Sequence, residues 1–385
     1  MEQFPAIFIG GPPHSGKSVL TYSLTRTLRQ RGIEHYVIRA APDGEGDWAN
    51  EADQVLVRIL RIKGDFTPAF TDFVCESLVK RHLPLIVDAG GRPTPYQERI
   101  FDCCTHAVLL TSDADAMAHW RAIAECRSVS IVAKLISHLR GNQSIITTEP
   151  VLRGVITGLD RGKTASGPTF DALVDRLADI LYCDPDELYH FHERHCSVET
   201  VIYLDRLAHT LDVPHREEQV IWEPRHLPAV LDYLPEAVPL GLYGRGPNWL
   251  YAALSLLAAP APFVQFDVRL GWVEARSLRI GPLDLASPLQ IQSYETFGYV
   301  HLEGILPTVY LDYSQLERLI APPAPAGLGV ILSGKLPLWL YTSLALTYRT
   351  APWIAVYQPQ LECAVVIYSA DKARVIGECV SMSPR

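Results

Sequence analysis

Gly11-Pro-Pro-His-Ser-Gly-Lys-Ser18 is the most informative segment of the sequence, because it satisfies the pattern G-x-x-x-x-G-K-[ST]. It follows an apolar run at residues 6–9 and precedes three leucines at four-residue spacing. A strand, a glycine-rich turn and a helix in that order bring backbone N–H groups and a helix N-terminus together around a phosphate. The stretch therefore predicts a phosphate-binding loop between a first strand and a helix over residues 18–31.

Short apolar runs alternate with amphipathic segments through the first 180 or so residues. The apolar runs after residues 6–9 predict buried strands, and residues 170–181 predict the last helix of this domain. Such alternation is typical of a parallel sheet with helices on both faces. The predicted fold of residues 1–182 is therefore an α/β, P-loop NTPase-type sheet. The predicted strands after the first lie at residues 36–38, 85–87, 107–110 and 154–157.

The loop chemistry predicts ATP with Mg²⁺ as the ligand of residues 1–182. Lys17 is expected to reach the β- and γ-phosphates, and Ser18 to ligate the metal. Asp88 follows the apolar run at residues 85–87 and is the candidate for the second metal-side group, with a capping or turn role as its alternative. Lys17 and Asp88 are also the candidate catalytic residues. The predicted nucleotide contacts are Gly11, Pro12, Pro13, His14, Ser15, Gly16, Lys17 and Ser18.

An acidic segment follows the second predicted strand, at residues 43–47. A loop at the carboxyl end of a parallel strand lies beside the nucleotide crevice. Asp43, Glu45 and Asp47 are therefore candidates for accepting a substrate proton or positioning water. The alternative is a solvated acidic loop with turn-forming glycines.

The second half contains an internal repeat. Gly244-Arg-Gly-Pro-Asn-Trp-Leu-Tyr251 aligns with Gly334-Lys-Leu-Pro-Leu-Trp-Leu-Tyr341, 90 residues later. Duplication predicts two tandem small α+β domains, ferredoxin-like, over residues 217–286 and 287–385, after a helical connector at 183–216. Trp249 and Trp339 are expected to anchor the helices in the core, with base stacking as the alternative.

A His-rich stretch lies in the predicted connector. Its potential ligands fit no standard zinc spacing, so a solvated helix surface is favoured over a metal site. The residues concerned are His190, His192, His195 and Cys196.

Composition limits the classes of function. Hydrophobic residues make up 48% of the 385 residues, enough for packed cores, and the net charge of −9 argues against binding long nucleic acid. The apolar runs are too short for a membrane span, and the eight cysteines form no regular framework. These observations predict a cytoplasmic protein whose ligands are small, and the predicted assembly is a homo-oligomer.

Two resemblances go further than composition. With the loop, the Asp88 strand and the acidic segment between them, residues 1–182 resemble small P-loop kinases of the uridine-kinase or dethiobiotin-synthetase type. The repeat, with Asp267-Val-Arg269 after it in the first copy, resembles the CRISPR-associated ring nucleases that cleave cyclic tetra-adenylate in type III antiviral defence systems. Members of that family are also found fused to an ATPase domain, and residues 42–48 resemble those fusion partners.

The ring-nuclease resemblance implies cyclic tetra-adenylate as the ligand and brings Mn²⁺ as a second candidate metal beside Mg²⁺. Asp267 is carried over as a catalytic residue. The family usually has Asp-Pro-Arg and a preceding histidine, whereas the first copy has Ala259 near the histidine position, and the second has Arg349 and Gln358-Pro-Gln360. Exposed N–H groups and basic side chains suit a phosphodiester. The predicted ligand contacts are Arg245, Gly246, Arg269 and Lys335.

Several functions therefore stay open. The leading one is an ATP-binding CRISPR accessory protein that recognises cyclic oligoadenylate, either cleaving it at a composite site or only binding it. The alternative is an ATP-dependent kinase of a small, nucleoside-type acceptor, with the repeats as a scaffold. A nucleotide-gated sensor without chemistry at the repeats is the third.

Overall fold

The computed structural model describes residues 4–40, 67–89, 98–160, 162–216, 219–282, 287–307, 311–370 and 374–382. Contacts divide the chain into two compact units. The first is Met1–Phe191 with Val268–Leu270, and the second is His192–Asp267 with Gly271–Arg385. The border thus falls inside the helix Pro185–Glu193.

The described part of the first unit contains a seven-stranded sheet. Its strands are β1 (Ala6–Gly10), β2 (Tyr36–Ala40), β3 (Leu85–Ala89), β4 (His106–Thr111), β5 (Ser130–His138), β6 (Ser144–Thr147) and β7 (Leu152–Thr157). They lie in the order β2-β3-β1-β4-β5-β7-β6. Every neighbouring pair is parallel except β6 with β7. The predicted α/β class and the five predicted strands are confirmed.

Helices cover both faces of this sheet, as predicted. The helices among the described residues up to the border are α1 (Lys17–Gln30), α2 (Pro68–Val79), α3 (Arg99–Asp102), α4 (Ala114–Cys126), α5 (Pro168–Leu181) and α6 (Pro185–Glu193). Side chains alternate along β1, so Ile7 and Ile9 pack with the buried leucines of α1 and α5. Phe8 points to the other face, where its ring stacks on Phe101 of α3 with ring centres 4.6 Å apart. Each fully buried leucine contributes about 1.5–3 kcal/mol.

The second unit contains two larger sheets among its described residues. Its strands are β8 (Val201–Tyr203), β9 (His215–Arg216), β10 (Gln219–Val220), β11 (Leu240–Tyr243), β12 (Phe263–Asp267), β13 (Gly271–Glu274), β14 (Arg279–Ile280), β15 (Gln290–Thr296), β16 (Tyr299–Ile305), β17 (Ile320–Ala321), β18 (Gly329–Gly334), β19 (Trp353–Gln358), β20 (Cys363–Ser369) and β21 (Cys379–Ser381). The helices are α7 (Leu204–Thr210), α8 (Leu227–Tyr233), α9 (Asn248–Ala258) and α10 (Leu338–Thr347), with short 3₁₀ turns at Pro224–His226, Tyr313–Arg318 and Pro359–Leu361.

The two larger sheets repeat one arrangement, in agreement with the predicted duplication. The first has the order β13-β12-β11-β8, and the second β15-β16-β18-β19-β20-β21. In each copy three strands are parallel, and the strand after the third is antiparallel to it. The copies are therefore β8-β11-α9-β12-β13 and β16-β18-α10-β19-β20, and α9 packs against α10.

The ferredoxin-like prediction does not fit this topology. A ferredoxin-like domain needs the order β-α-β-β-α-β. Here each copy instead places a three-stranded parallel core in sequence, with its helix between the second and third strands. In addition, β8 lies inside the segment predicted as a helical connector.

Candidate functional site

The loop of residues 11–16 runs from β1 to the first residue of α1, and its glycines are sterically required. A Cβ on Gly11 would lie 1.9 Å from the carbonyl oxygen of Leu110. Gly16 caps α1 with a φ of 94°, in the left-handed region that favours glycine. The loop can therefore curl closely over the start of α1 with its backbone exposed to a ligand.

Lys17 is the first residue of α1, and its ammonium group is held by the loop itself. Its Nζ donates hydrogen bonds to the carbonyl oxygens of Gly11 at 2.8 Å and Pro12 at 2.7 Å. Burial lowers the pKa of Lys17 to about 8, while the negative charge of Asp88 acts in the opposite direction. The Lys17 ammonium group is thus held beside the N-terminus of α1.

Asp88 lies beside the loop because β3 pairs with β1, with Asp88 opposite Ile9. The hydroxyl of Ser18 donates to its Oδ2 at 3.0 Å, and the Nε of Arg39 lies 3.7 Å from the same oxygen. Burial raises the pKa of Asp88, while Arg39, Ser18 and Lys17 oppose this rise. The structure therefore brings together the predicted residues Lys17, Ser18 and Asp88.

These residues fit a triphosphate with Mg²⁺ chemically. The hydroxyl of Ser15 is buried and has no hydrogen-bond partner among the described residues, so the loop holds an unused donor. Hydroxyl and carboxylate oxygens such as those of Ser18 and Asp88 are ligands that Mg²⁺ prefers. Asp43, Glu45 and Asp47, the candidates for accepting a substrate proton or positioning water, lie outside the described residues.

Arg39 was missed by sequence reasoning, although a signal was present. It is the fourth residue of β2 and pairs with Asp88 across the parallel ladder. A basic residue at the carboxyl end of a strand beside the predicted metal-side strand could have indicated this contact. What could not be read was that β2 pairs directly with β3.

The two repeated turns have the same geometry. Gly244 and Gly334, which open them, have φ values of 117° and 130°. The phenol groups of Tyr251 and Tyr341 donate to the carbonyl oxygens of Gly244 and Gly334 respectively, each at 2.5 Å. Each turn therefore leads into its helix in a fixed conformation.

The basic side chains predicted to contact ligand lie on these turns. Arg245 and Lys335 are exposed at equivalent positions, and Gly246 is half-buried. The helices behind them, α9 and α10, begin after prolines whose side chains supply no cap. Each turn thus combines an exposed positive charge with a helix N-terminus, which favours anions.

Asp267 and Arg269 are placed differently from each other. Asp267 is the last residue of β12. Burial raises the pKa of the Tyr251 phenol, and the negative charge of Asp267 raises it further. Asp267 therefore lies near the first turn. Arg269 belongs by its contacts to the first unit, where its guanidinium lies over the ring of Phe73, 5.6 Å from the ring centre.

The two copies meet through α9 and α10. The side chain of Asn248 in the first copy donates to the carbonyl oxygen of Tyr357 in the second at 3.3 Å. Thr342 in the second copy donates to the side chain of Gln265 in the first at 2.9 Å. Trp249 and Trp339 are 1% and 0% exposed, which confirms their prediction as core anchors.

Histidines of the second unit are more deeply buried than expected. The solvated surface predicted for the His-rich stretch is wrong for His192, which is buried and shares a hydrogen bond of 2.8 Å with the phenol of Tyr243. Sequence reasoning also missed His301, whose Nε2 lies 2.6 Å from the hydroxyl of Ser333. Within the described ranges, no three His, Cys, Asp or Glu side chains are grouped to hold a metal ion.

The comparison with known families concerns the second copy. Residues 305–381 match the family model described as CRISPR-associated protein (Cas_csx3). This match, which covers residues 305–381 alone, indicates a CRISPR-associated C-terminal region. The matched Cas_csx3 region runs from the end of β16 through β18, α10, β19 and β20 to β21, so it contains the turn with Lys335. The predicted CRISPR association is confirmed for this region.

Among the helices that the structure describes, none is both long and apolar enough to cross a bilayer.

Proposed function

We propose that this chain is a CRISPR-associated accessory protein that binds ATP with Mg²⁺ in its first unit and a cyclic oligoadenylate in its second. The CRISPR association rests on the Cas_csx3 region. The observation that carries ATP binding is the arrangement of Lys17, Ser18 and Asp88 around the glycine-bounded loop.

Each residue of the first site would have a separate task. Lys17, now held by loop carbonyls, would turn its ammonium group to the β- and γ-phosphates. Ser15 and the loop amides would donate to phosphate oxygens, which uses the buried hydroxyl. Ser18 and Asp88 would hold Mg²⁺, and the bound metal would neutralise charge on the phosphates.

Recognition of cyclic oligoadenylate is supported by the paired turns. A ring of identical nucleotides presents chemically equivalent phosphodiesters, which suits two related turns with positive side chains. Arg245 and Lys335 would supply those charges, although lysine lacks the forked geometry of arginine. Neither copy has the complete catalytic set of the family that it resembles, so binding is the function proposed, and cleavage is decided by product analysis.

Binding is tested by thermal unfolding of the full chain with cyclic tetra-adenylate. Ligand at one hundred times its dissociation constant stabilises the native state by about 2.7 kcal/mol. For a unit of this size that corresponds to an increase in Tm of about 5–10 °C. Replacing both Arg245 and Lys335 by Ala should abolish the shift, whereas Arg225→Ala, at an exposed ion pair, should keep it. No shift at saturation with the unmodified chain contradicts the proposal.

A second experiment separates cleavage from binding. The full chain is incubated with labelled cyclic tetra-adenylate and Mg²⁺ or Mn²⁺, with or without ATP, and the products are analysed. Linear products that disappear in Asp267→Asn would assign catalysis to the first copy. Intact ligand recovered after long incubation would identify a sensor.

A kinase of small acceptors is the second candidate, because Lys17, Ser18 and Asp88 are also the kinds of residue that phosphoryl transfer uses. ATP consumption that increases strongly with one nucleoside-type acceptor, and does not respond to cyclic oligoadenylate, would support the kinase instead.

A further inference from the structure

Two cysteines of the second unit lie in direct contact. The sulfur atoms of Cys363 and Cys379 are 2.6 Å apart. These residues begin the antiparallel strands β20 and β21, where Cys363 is opposite Ser381 and Cys379 is opposite Val365. Because side chains alternate along strands, both thiols project from the same face. They could approach the bonded separation of about 2.05 Å by moving roughly half an ångström.

We propose that Cys363 and Cys379 form a reversible disulfide, which makes the pair a site of oxidative modification by small-molecule disulfides. Cys379 is exposed and Cys363 is buried, so a reagent from solution can reach the sulfur of Cys379 but not that of Cys363. β21 is a three-residue strand at the edge of its sheet, and an edge strand can adjust its position more easily than a central one.

The disulfide forms by two successive thiol–disulfide exchange steps. The thiolate of Cys379 attacks one sulfur of oxidised glutathione, forming a mixed disulfide and releasing one glutathione thiolate. The thiolate of Cys363 then attacks the Cys379 sulfur and releases the second glutathione. Two protein thiols lose two electrons and two protons, and one small disulfide is reduced to two thiols.

The order of attack follows from the surroundings of the two sulfurs. Burial, and then the hydrogen bond with Cys379, raises the pKa of Cys363 to about 12. Little thiolate therefore exists at Cys363 for reaction with a reagent from solution. Contact with Cys379 makes its attack on the mixed disulfide intramolecular, and proximity compensates for the low thiolate fraction.

The position of the pair gives the disulfide a consequence for the fold. Cys363 lies opposite Gln358, the last residue of β19, in the ladder of the second copy. Cys379 lies on the last strand of the sheet. A disulfide would tie this terminal strand to the strand that begins beside the end of β19, and it would close a loop of chain that the unfolded state would otherwise leave open.

The direct test is disulfide mapping of the full chain. The folded protein is incubated with increasing ratios of oxidised to reduced glutathione, blocked with N-ethylmaleimide, digested and analysed by mass spectrometry without reduction. We expect a peptide pair linked through Cys363 and Cys379, lighter by two hydrogens and separated by dithiothreitol. Finding both residues only as thiols or glutathione adducts at the highest ratio would overturn the proposal. Peptide identities distinguish this link from one between Cys75 and Cys103.

Single variants test the order of attack. Cys363→Ala should leave Cys379 as a lasting glutathione adduct, whereas Cys379→Ser should leave Cys363 unmodified. Cys126→Ser, at an exposed cysteine on α4, should retain the link. Oxidation should raise the Tm of the unmodified chain by about 5 °C, and an equal rise in Cys379→Ser would refute the assignment. If a variant fails to fold, mapping of the unmodified chain decides alone.

Discussion

Replacing Asp88 by Asn tests the metal side of the first site without changing the shape of the side chain. The carboxylate accepts a hydrogen bond from Ser18 at 3.0 Å and faces Arg39 at 3.7 Å, and it is buried. Hydrogen bonds to charged groups contribute about 1.5–3 kcal/mol. If Asp88 holds Mg²⁺ with Ser18, the gain in ATP affinity on adding Mg²⁺ should therefore fall by about 10- to 150-fold.

The assay is calorimetric titration with a non-hydrolysable ATP analogue, once with Mg²⁺ and once with a chelator. Affinity in chelator should change much less, because the loop and Lys17 remain intact. Asp72→Asn, at an exposed ion pair with Arg99, is the matched control and should behave as the unmodified chain. An unchanged Mg²⁺ effect in Asp88→Asn would refute the assignment of Asp88.

Three further changes test particular features. A hydrogen bond from Cys75 lowers the pKa of Cys103 to about 7, so iodoacetamide labelling of Cys103 should increase as the pH rises through 7, and Cys75→Ala should move that midpoint upwards. Trp339→Ala empties a fully buried position and should lower the free energy of unfolding of the second unit by about 3–5 kcal/mol, measured by denaturant titration, whereas Phe297→Ala, at a fully exposed position, should not. Gly16→Ala puts a Cβ 2.7 Å from a leucine side chain at a φ of 94° and should abolish ATP binding in calorimetry.

Each of these has a clear contrary result. Equal labelling midpoints with and without Cys75 would remove the hydrogen bond as the cause. Equal denaturation midpoints for Trp339→Ala and the unmodified chain would remove the core role of the indole. Normal ATP affinity in Gly16→Ala would show that the loop can change its backbone conformation.

Local patterns predicted the first unit well. The loop at residues 11–18 was identified from its glycines and lysine, and α1 begins one residue before the prediction. The five predicted strands were found because each contains a continuous apolar run, which is also a local pattern. β5 was not predicted, because Lys134 interrupts its apolar residues and only the pairing with β4 and β7 makes the strand apparent.

Long-range pairing explains most of what sequence missed. The contact between Arg39 and Asp88 depends on β2 and β3 being neighbours, and the contact between Asn248 and Tyr357 depends on how α9 packs against β19. Neither is visible in a local pattern. The repeat predicted that two similar copies exist, but the parallel pairing of β8 with β11 is a tertiary property that the turn motif does not contain.

The proposed ATP binding depends most on Lys17 and its place in the loop. Its Nζ is buried and held by two loop carbonyls, from which a phosphate would attract it. The decisive measurement is the dissociation constant for ATP with Mg²⁺ of the unmodified chain, Lys17→Ala and Lys80→Ala, the last at an exposed ion pair. We expect one ATP per chain, binding weaker by at least about 10-fold in Lys17→Ala, and no change in Lys80→Ala. Equal affinity in all three proteins would contradict the proposal that the loop binds ATP through Lys17.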